Sequence, residues 1–194
     1  MHHIYHTHGF ILGSRAMGEA NKMLIIYTRE MGLVRAVVQG IRLHKSKLRF
    51  SLQDFSYCTV DLVRGRDLWR VTSAANISSF PFARSDKQSL LLIARTSKLI
   101  ERLCDGEVPH EKIFDTFIQA LHILDDSHLL PASREALELH LVLHIMNTLG
   151  YIGDSEILAE YIGSSFDQSQ TESLLRKRQS IISHINKALT ESQL

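Results

Sequence analysis

The sequence predicts an α+β chain of two domains, a small five-stranded barrel over residues 1–80 followed by an all-helical domain over residues 81–194. Three observations carry this reading. Short runs rich in Val, Ile, Leu and Tyr, separated by turn-forming residues, fill the first part of the chain, the pattern of a small closed or partly open barrel. Capping residues and apolar positions recurring at helical spacing fill the remainder. Charge divides at the same place: residues 1–80 hold 11 Lys and Arg against 5 Asp and Glu, a net +6, and residues 81–194 hold 11 against 16, a net −5. The overall +1 conceals that asymmetry, which points to a basic module facing a polyanion and an acidic remainder. A hydrophobic content of 44% implies real cores rather than disorder.

His6 to Leu12 predicts the first strand. Met23 to Glu30 and Leu33 to Arg42 predict a hairpin across Met31-Gly32, a pair with the length of a two-residue loop, with Gly32 at positive φ. Gly40, inside the second run, predicts a bulge that bends the barrel. Ile41 to Leu52 carries Arg42, His44, Lys45, Lys47 and Arg49 around Ser46, a composition that resists burial and predicts a solvated loop packing against nothing. Tyr57 to Val63 alternates with period two, and Arg64-Gly65-Arg66-Asp67 predicts a turn into a fifth strand over Leu68 to Thr72.

Pro81, between two Phe residues in the segment Ser78 to Arg84, ends the strand pattern. Ser85-Asp86-Lys87-Gln88 reads as a capping box opening a helix with Leu91, Leu92, Arg95, Leu99 and Leu103 at i, i+3 and i+4 positions, stopped by Asp105-Gly106. Pro109 suits the first position of a second helix with an apolar stripe from Ile113 to Leu124. Pro131 opens a third, whose stretch from Ala136 to Leu149 is apolar on most sides and predicts the central helix. Asp154-Ser155 predicts the cap of a short helix ending near Gly163, and Thr171 opens one last helix through Leu189.

Catalysis finds little support. There is no phosphate-binding glycine loop, no G-x-S-x-G elbow and no paired Cys/His ligands. Asp125-Asp126 are adjacent positions at a helix end, which point apart. His2, His3, His6 and His8 have no carboxylate or thiol nearby in the sequence to complete a metal site, and His140 and His144, four apart, lack the intervening Glu of a metalloprotease helix. Two isolated cysteines, Cys58 and Cys104, exclude a disulfide framework. The expectation is a non-enzymatic, cytoplasmic protein with no cofactor, no metal and no membrane contact.

Binding is better supported. A small barrel holds a single strand by running phosphates over Lys and Arg and stacking bases on aromatic faces. Arg35, Arg42, Lys45, Lys47, Arg49, Arg64, Arg66 and Arg70 supply charge from separate segments that a barrel would gather. Tyr27, Phe50, Tyr57 and Trp69 are candidate stacking faces, Phe50 first because it sits inside the basic segment. Arg176-Lys177-Arg178, the basic cluster of the acidic half, reads as a solvated helix face.

At Arg15, Gly18-Glu19, the strand ending Tyr27-Thr28-Arg29-Glu30, Gly32, Gly40, Lys45-Ser46 with Leu48-Arg49, Gln53-Asp54-Phe55 and Arg64-Gly65-Arg66, the sequence resembles the RecO recombination-mediator family of bacterial DNA repair. Asn21 stands where that family usually has an acidic residue. The resemblance implies an N-terminal OB-fold, a helical second domain, and binding to single- and double-stranded DNA. It also implies strand annealing and RecA loading in company with RecR and single-stranded DNA-binding protein. The acidic, hydrophobic-ended tail of the latter protein would need cations beside an apolar floor, for which Arg95, Lys98 and Arg102 near Leu91, Leu99 and Leu103 are the candidates. Family members often carry a cysteine-ligated zinc module after the helix that here ends Leu149-Gly150-Tyr151; no cysteine follows Cys104, so no zinc module is expected. The residues by themselves leave a second reading open, an OB-fold protein-docking adaptor without intrinsic DNA binding.

Overall fold

The computed structural model describes residues 3–104, 106–126, 129–152, 161 and 166–191. They divide into two compact units, one made of Met1–Pro81 with Ile93–Phe114 and the other of Phe82–Leu92 with Asp115–Leu194.

In the first unit, β1 (Ile4–Met17), β2 (Asn21–Thr28), β3 (Gly32–Val38), β4 (Tyr57–Arg64) and β5 (Trp69–Ser78) form a closed barrel in the order β1-β2-β3-β5-β4, the architecture of an OB-fold. All neighbours are antiparallel except β3 and β5, which run parallel through Ala36↔Trp69 and Val37↔Arg70. β1 is long enough to serve two partners: Gly9 to Met17 pairs with β2 and Ile4 to Phe10 with β4. Alternate residues fill the interior, among them Ile11, Leu24, Ile26, Val34, Ala36, Val60, Leu62 and Val71.

All five predicted strands are present, but β1 and β5 run well beyond the predicted His6 to Leu12 and Leu68 to Thr72, and four further differences stand out. The β2–β3 loop has three residues, Arg29-Glu30-Met31, because Thr28 pairs directly with Gly32. Thr28 Oγ1 accepts the Met31 N–H at 3.1 Å and donates to the Gly32 carbonyl at 2.8 Å, and Gly32 takes φ 71° as the left-handed residue that closes a three-residue hairpin. Gly40 is not a bulge. β3 has ended at Val38, and Gly40 lies in the turn beyond with its N–H donated to Asn21 Oδ1 at 2.9 Å. The bulge in this region falls in β1, between Ile11 and Gly13. The basic segment does pack: Ile41 and Leu52 are buried in the barrel core, Leu48 packs on it, and α1 (Leu48–Ser51) lies on β5.

Outside the barrel a second aromatic layer fills the first unit. Phe10 packs against Phe55 and Phe80, while Phe114 packs against Tyr27 and Tyr57, with ring centroids 5.6 to 6.4 Å apart. The cover is the later part of α3 (Lys87–Leu103) and the segment that follows it. That segment is tied to the β2–β3 hairpin: Leu33 N–H donates to the Gly106 carbonyl at 2.7 Å, Tyr27 Oη to the His110 carbonyl at 3.3 Å, and Arg29 pairs with Glu111 at 2.9 Å.

The second unit is helical. α2 (Pro81–Ser85) ends at the predicted cap residue, and Asp86 caps α3 by accepting the Ser89 N–H at 2.8 Å, one position later than Ser85 would. Hydrogen bonds from Ser89 hold the Asp86 carboxyl below its ordinary range, with Arg134 adding at 3.3 Å. α4 (Glu111–Leu124) starts two residues past Pro109. α5 (Pro131–Thr148) is the expected central helix, with Leu137, Leu141, Leu143, Ile145 and Met146 buried. The last predicted helix is two, α6 (Thr171–Arg176) and α7 (Arg178–Glu191), broken at Lys177. Asp105, Asp154 and Ser155 lie outside the described residues, as does Gly163.

Gly32→Val is expected to destabilise the first unit strongly. The left-handed backbone alone costs a β-branched residue about 1–3 kcal/mol, and a Cβ at Gly32 would stand 2.3 Å from the Val108 carbonyl oxygen. Urea denaturation checks this; an unchanged midpoint would mean that the hairpin does not need a left-handed residue at this position.

Candidate nucleic-acid interface

Closure of the barrel through β3 and β5 arranges the basic residues. Arg35 on β3 and Arg70 on β5 both face outward and are exposed, and Arg70 pairs with Val37, two residues from Arg35 on the same side of its strand. The parallel register sets the β4–β5 turn, with Arg64 and Arg66, at one end of this seam and the segment leaving Val38 at the other. In that segment Arg42, Lys45, Lys47 and Arg49 are all exposed, Phe50 is 75% exposed and Leu43 is 56% exposed. Arg42 is also structural. Its Nη1 donates to the Gly18 carbonyl at 2.7 Å and its N–H to the Ala20 carbonyl at 3.0 Å, fastening the segment to the β1–β2 turn.

Of the four candidate stacking aromatics, Tyr27 and Trp69 belong to the core, and Tyr57 is half-buried against Phe114. Phe50 alone among these four is largely exposed.

Arg64 differs from the other cations. Its Nη1 donates to both oxygens of Glu107, at 2.7 Å to Oε1, and its guanidinium carbon lies 4.8 Å above the Trp69 ring. Trp69 Nε1 donates to the same Oε1 at 2.8 Å. Burial on its own would raise the Glu107 pKa, but the hydrogen bonds from Trp69 and Arg64, together with the Arg64 charge, outweigh it and hold the carboxyl below its ordinary value. Glu107 is the site-adjacent residue that sequence reasoning missed, because nothing in its local pattern marks a contact more than forty positions back along the chain.

On α3, Arg95, Lys98 and Arg102 are exposed on one face. The expected apolar floor differs: Leu103 is 5% exposed and already packed, Leu99 is half-buried and Leu91 is exposed. The buried face instead holds Leu92, Ile93, Thr96, Ser97 and Ile100. Lys98 opens onto a cleft lined by Leu12, Ile25 and Phe55. In the helical unit Arg176 pairs with Glu172 at 3.2 Å, Arg178 with Glu135 at 2.5 Å, and Lys177 Nζ lies 5.3 Å from the Tyr161 ring centre, so this cluster is engaged within its own unit.

A carboxylate distant in sequence stands beside one of the N-terminal histidines. The β1–β4 register brings Asp61 to 2.6 Å from His6 Nδ1. No group of three or more His, Cys, Asp or Glu side chains able to hold a metal occurs among the described residues. His144 Nε2 lies 3.3 Å from Thr116 Oγ1, and His140 packs edge-on to Phe166. Burial raises both cysteine pKa values, Cys58 to about 12. No described helix is long and apolar enough to cross a membrane.

Barrel order and surface together define an OB-fold protein with a cationic outer seam. Residues 1–80 match the family model described as Recombination protein O N terminal, which assigns the barrel to the RecO family. The chain is 30% identical over 137 residues to the DNA repair protein RecO of Alkaliphilus metalliredigens, covering 71% of this chain and 52% of that protein. It is 33% identical over 122 residues to that of Rubrobacter xylanophilus (63% and 49%) and 29% identical over 149 residues to that of Gloeothece citriformis (77% and 51%). The chain thus spans about half the length of the curated relatives it matches.

Glu107→Gln is expected to destabilise the first unit at neutral pH. Because the folded-state pKa of Glu107 lies below its unfolded value, its contribution is fully present above the unfolded value and is lost as pH falls through the folded one. The gap in melting temperature between parent and variant should therefore close on acidification; a gap independent of pH would mean that the carboxylate's charge plays no part in stability.

Proposed function

We propose that this protein is a non-catalytic DNA-binding mediator of recombination in DNA repair. It binds single- and double-stranded DNA, promotes annealing of complementary strands, and acts with RecR and single-stranded DNA-binding protein in loading RecA. The observation that carries the DNA-binding part is the basic segment Arg42 to Arg49, exposed beside exposed Phe50 at one end of a seam that also bears Arg35 and Arg70. Cations over which a phosphate backbone can run, next to an aromatic face, form the sequence-tolerant single-strand site of OB-folds. The barrel's assignment to the RecO family supports the partners and the pathway.

Lys45, Lys47 and Arg49 face solvent without the structural bond that Arg42 makes. Replacing these three together by Glu is expected to abolish oligonucleotide binding at an unchanged melting temperature. In single replacements, each cation that no longer meets a phosphate should make the log-log salt slope shallower by roughly 0.7 to 0.9. Phe50→Ala should weaken single-strand binding by ~1–3 kcal/mol without changing the slope, since a base stacked on a ring carries no counterion release. Absence of oligonucleotide binding by the parent at low salt would favour the protein-docking adaptor instead.

The second binding surface is the exposed row Arg95, Lys98 and Arg102, which we assign to the acidic, apolar-ended tail of single-stranded DNA-binding protein. Charge reversal of all three is expected to abolish calorimetric binding of a synthetic tail peptide. Equal affinity for variant and parent would place the tail elsewhere.

A further inference from the structure

We infer that the cleft between the bulge of β1 and the later part of α3 is a pocket for one unstacked nucleotide of a bound single strand. The inference rests on the proposed DNA binding and extends it to a site beyond the basic segment.

The cleft holds about 270 Å³ and lies wholly within the first unit. That is just under the ~300–1,000 Å³ of pockets for drug-sized ligands, room for a single ring system and its substituents. Leu12, Ile25, Phe55 and Ala94 form its apolar walls, and Arg15, Lys98 and Glu101 supply charge. Three features mark it as more than a packing gap. Ser97 lines it at 3% exposure, and its hydroxyl has no hydrogen-bond partner among the described residues, a state that disfavours the fold unless something in the cleft bonds to it. Phe55 is held at φ 64°, a conformation a phenylalanine rarely adopts and which accumulates at ligand clamps. Gly13 sits at the bulge with nothing within 4 Å of where a Cβ would stand, so backbone is laid open to the cleft.

Position and chemistry then select the occupant. Ile25 pairs with Gly13 on one side and with Arg35 on the other, which makes the cleft continuous with the cationic seam across a single strand. A base has an apolar face for Phe55 and Ile25, ring and carbonyl acceptors for Ser97 Oγ, and N–H donors for the Glu101 carboxylate. Its phosphate suits Arg15, which leaves Lys98 to the outer row with Arg95 and Arg102. Inside the cleft a carboxylate would meet Glu101 with like charge, whereas a nucleotide uses both signs.

Two substitutions test this on the full chain. Gly13→Leu fills the cleft at a position with open space, and Ser97→Ala removes only the buried hydroxyl. A single-stranded oligonucleotide carrying 5-iodouracil should crosslink on irradiation to the peptide containing Phe55 in the parent, and Gly13→Leu should abolish that crosslink. Gly13→Leu should also weaken single-strand affinity about tenfold, the scale of one stacked base, and make the single-strand salt slope shallower by roughly 0.7, one lost phosphate contact, while leaving duplex affinity unchanged. Ser97→Ala should weaken single-strand binding at an equal or higher melting temperature, the opposite of what loss of a structural hydrogen bond does, and it decides the matter if Gly13→Leu fails to fold. Parent binding with crosslinks only elsewhere, or parent affinity in Ser97→Ala and folded Gly13→Leu, overturns the pocket alone. Absence of DNA binding by the parent overturns it together with the proposed function. Loss in Gly13→Leu of affinity for an acidic apolar peptide, with DNA binding intact, makes the cleft a peptide site and overturns it as well.

Discussion

The parallel pairing of β3 with β5, two registered pairs at Ala36↔Trp69 and Val37↔Arg70, is the seam on which the first unit depends. Every other junction in the barrel is a long antiparallel ladder, and without this short one the five strands would form an open sheet with two free edges. Closure sends Trp69 inward to the core and Arg70 outward beside the Arg35 side of β3. The same two pairs fix which turn lies at which end of the cationic face, so the candidate binding surface is a product of topology more than of any one residue.

The seam is supported from outside. The segment from Gly106 to Glu111 is bonded to the β2–β3 hairpin at Leu33, Tyr27 and Arg29, and through Glu107 it reaches Trp69 at the start of β5 and Arg64 at the end of β4. It thereby braces both strands of the seam near one end. The aromatic layer beneath contributes much of the stability: Phe10, Tyr27, Phe80 and Phe114 are nearly or fully buried, and burying such a side chain is worth roughly 1.5–3 kcal/mol. The first unit is thus the barrel together with residues Ile93–Phe114, which follow it at a distance along the chain.

Much of the barrel was legible because strand burial has a period of two, which any run of Val, Ile and Tyr between turn residues displays. Register within turns was less so: Met31-Gly32 has the length of a tight loop, and only the Thr28 hydroxyl bonds reveal a three-residue one. Ile41, Leu48 and Leu52 were hidden by the cations around them, since a segment can be basic on one side and part of a core on the other. The buried face of α3 was misplaced because Thr96 and Ser97 occupy it, and polar residues break the apolar stripe from which such a face is read. At the candidate site the exposed cations were readable from composition. The engagement of Arg64 by Glu107, the conformation of Phe55 and the cleft beside Gly13 were not, because each is made by residues distant in sequence meeting across the barrel surface. Gly13-Ser14 inside a strand pattern was the one available hint of a bulge.

The divided loyalty of β1 has a consequence for how the chain assembles as it is made. Its second half can pair with β2 at once, but its first half must wait for β4, and β3 must wait for β5. From the end of β3 at Val38 to the end of β5 at Ser78, a ribosome working at ~5–20 residues per second needs roughly two to eight seconds. During that interval β1, β2 and β3 form a three-stranded sheet with two open edges, each a template for a neighbouring chain. Arg35 then stands on one of those edges, where an outward charge opposes unwanted strand pairing until β5 arrives.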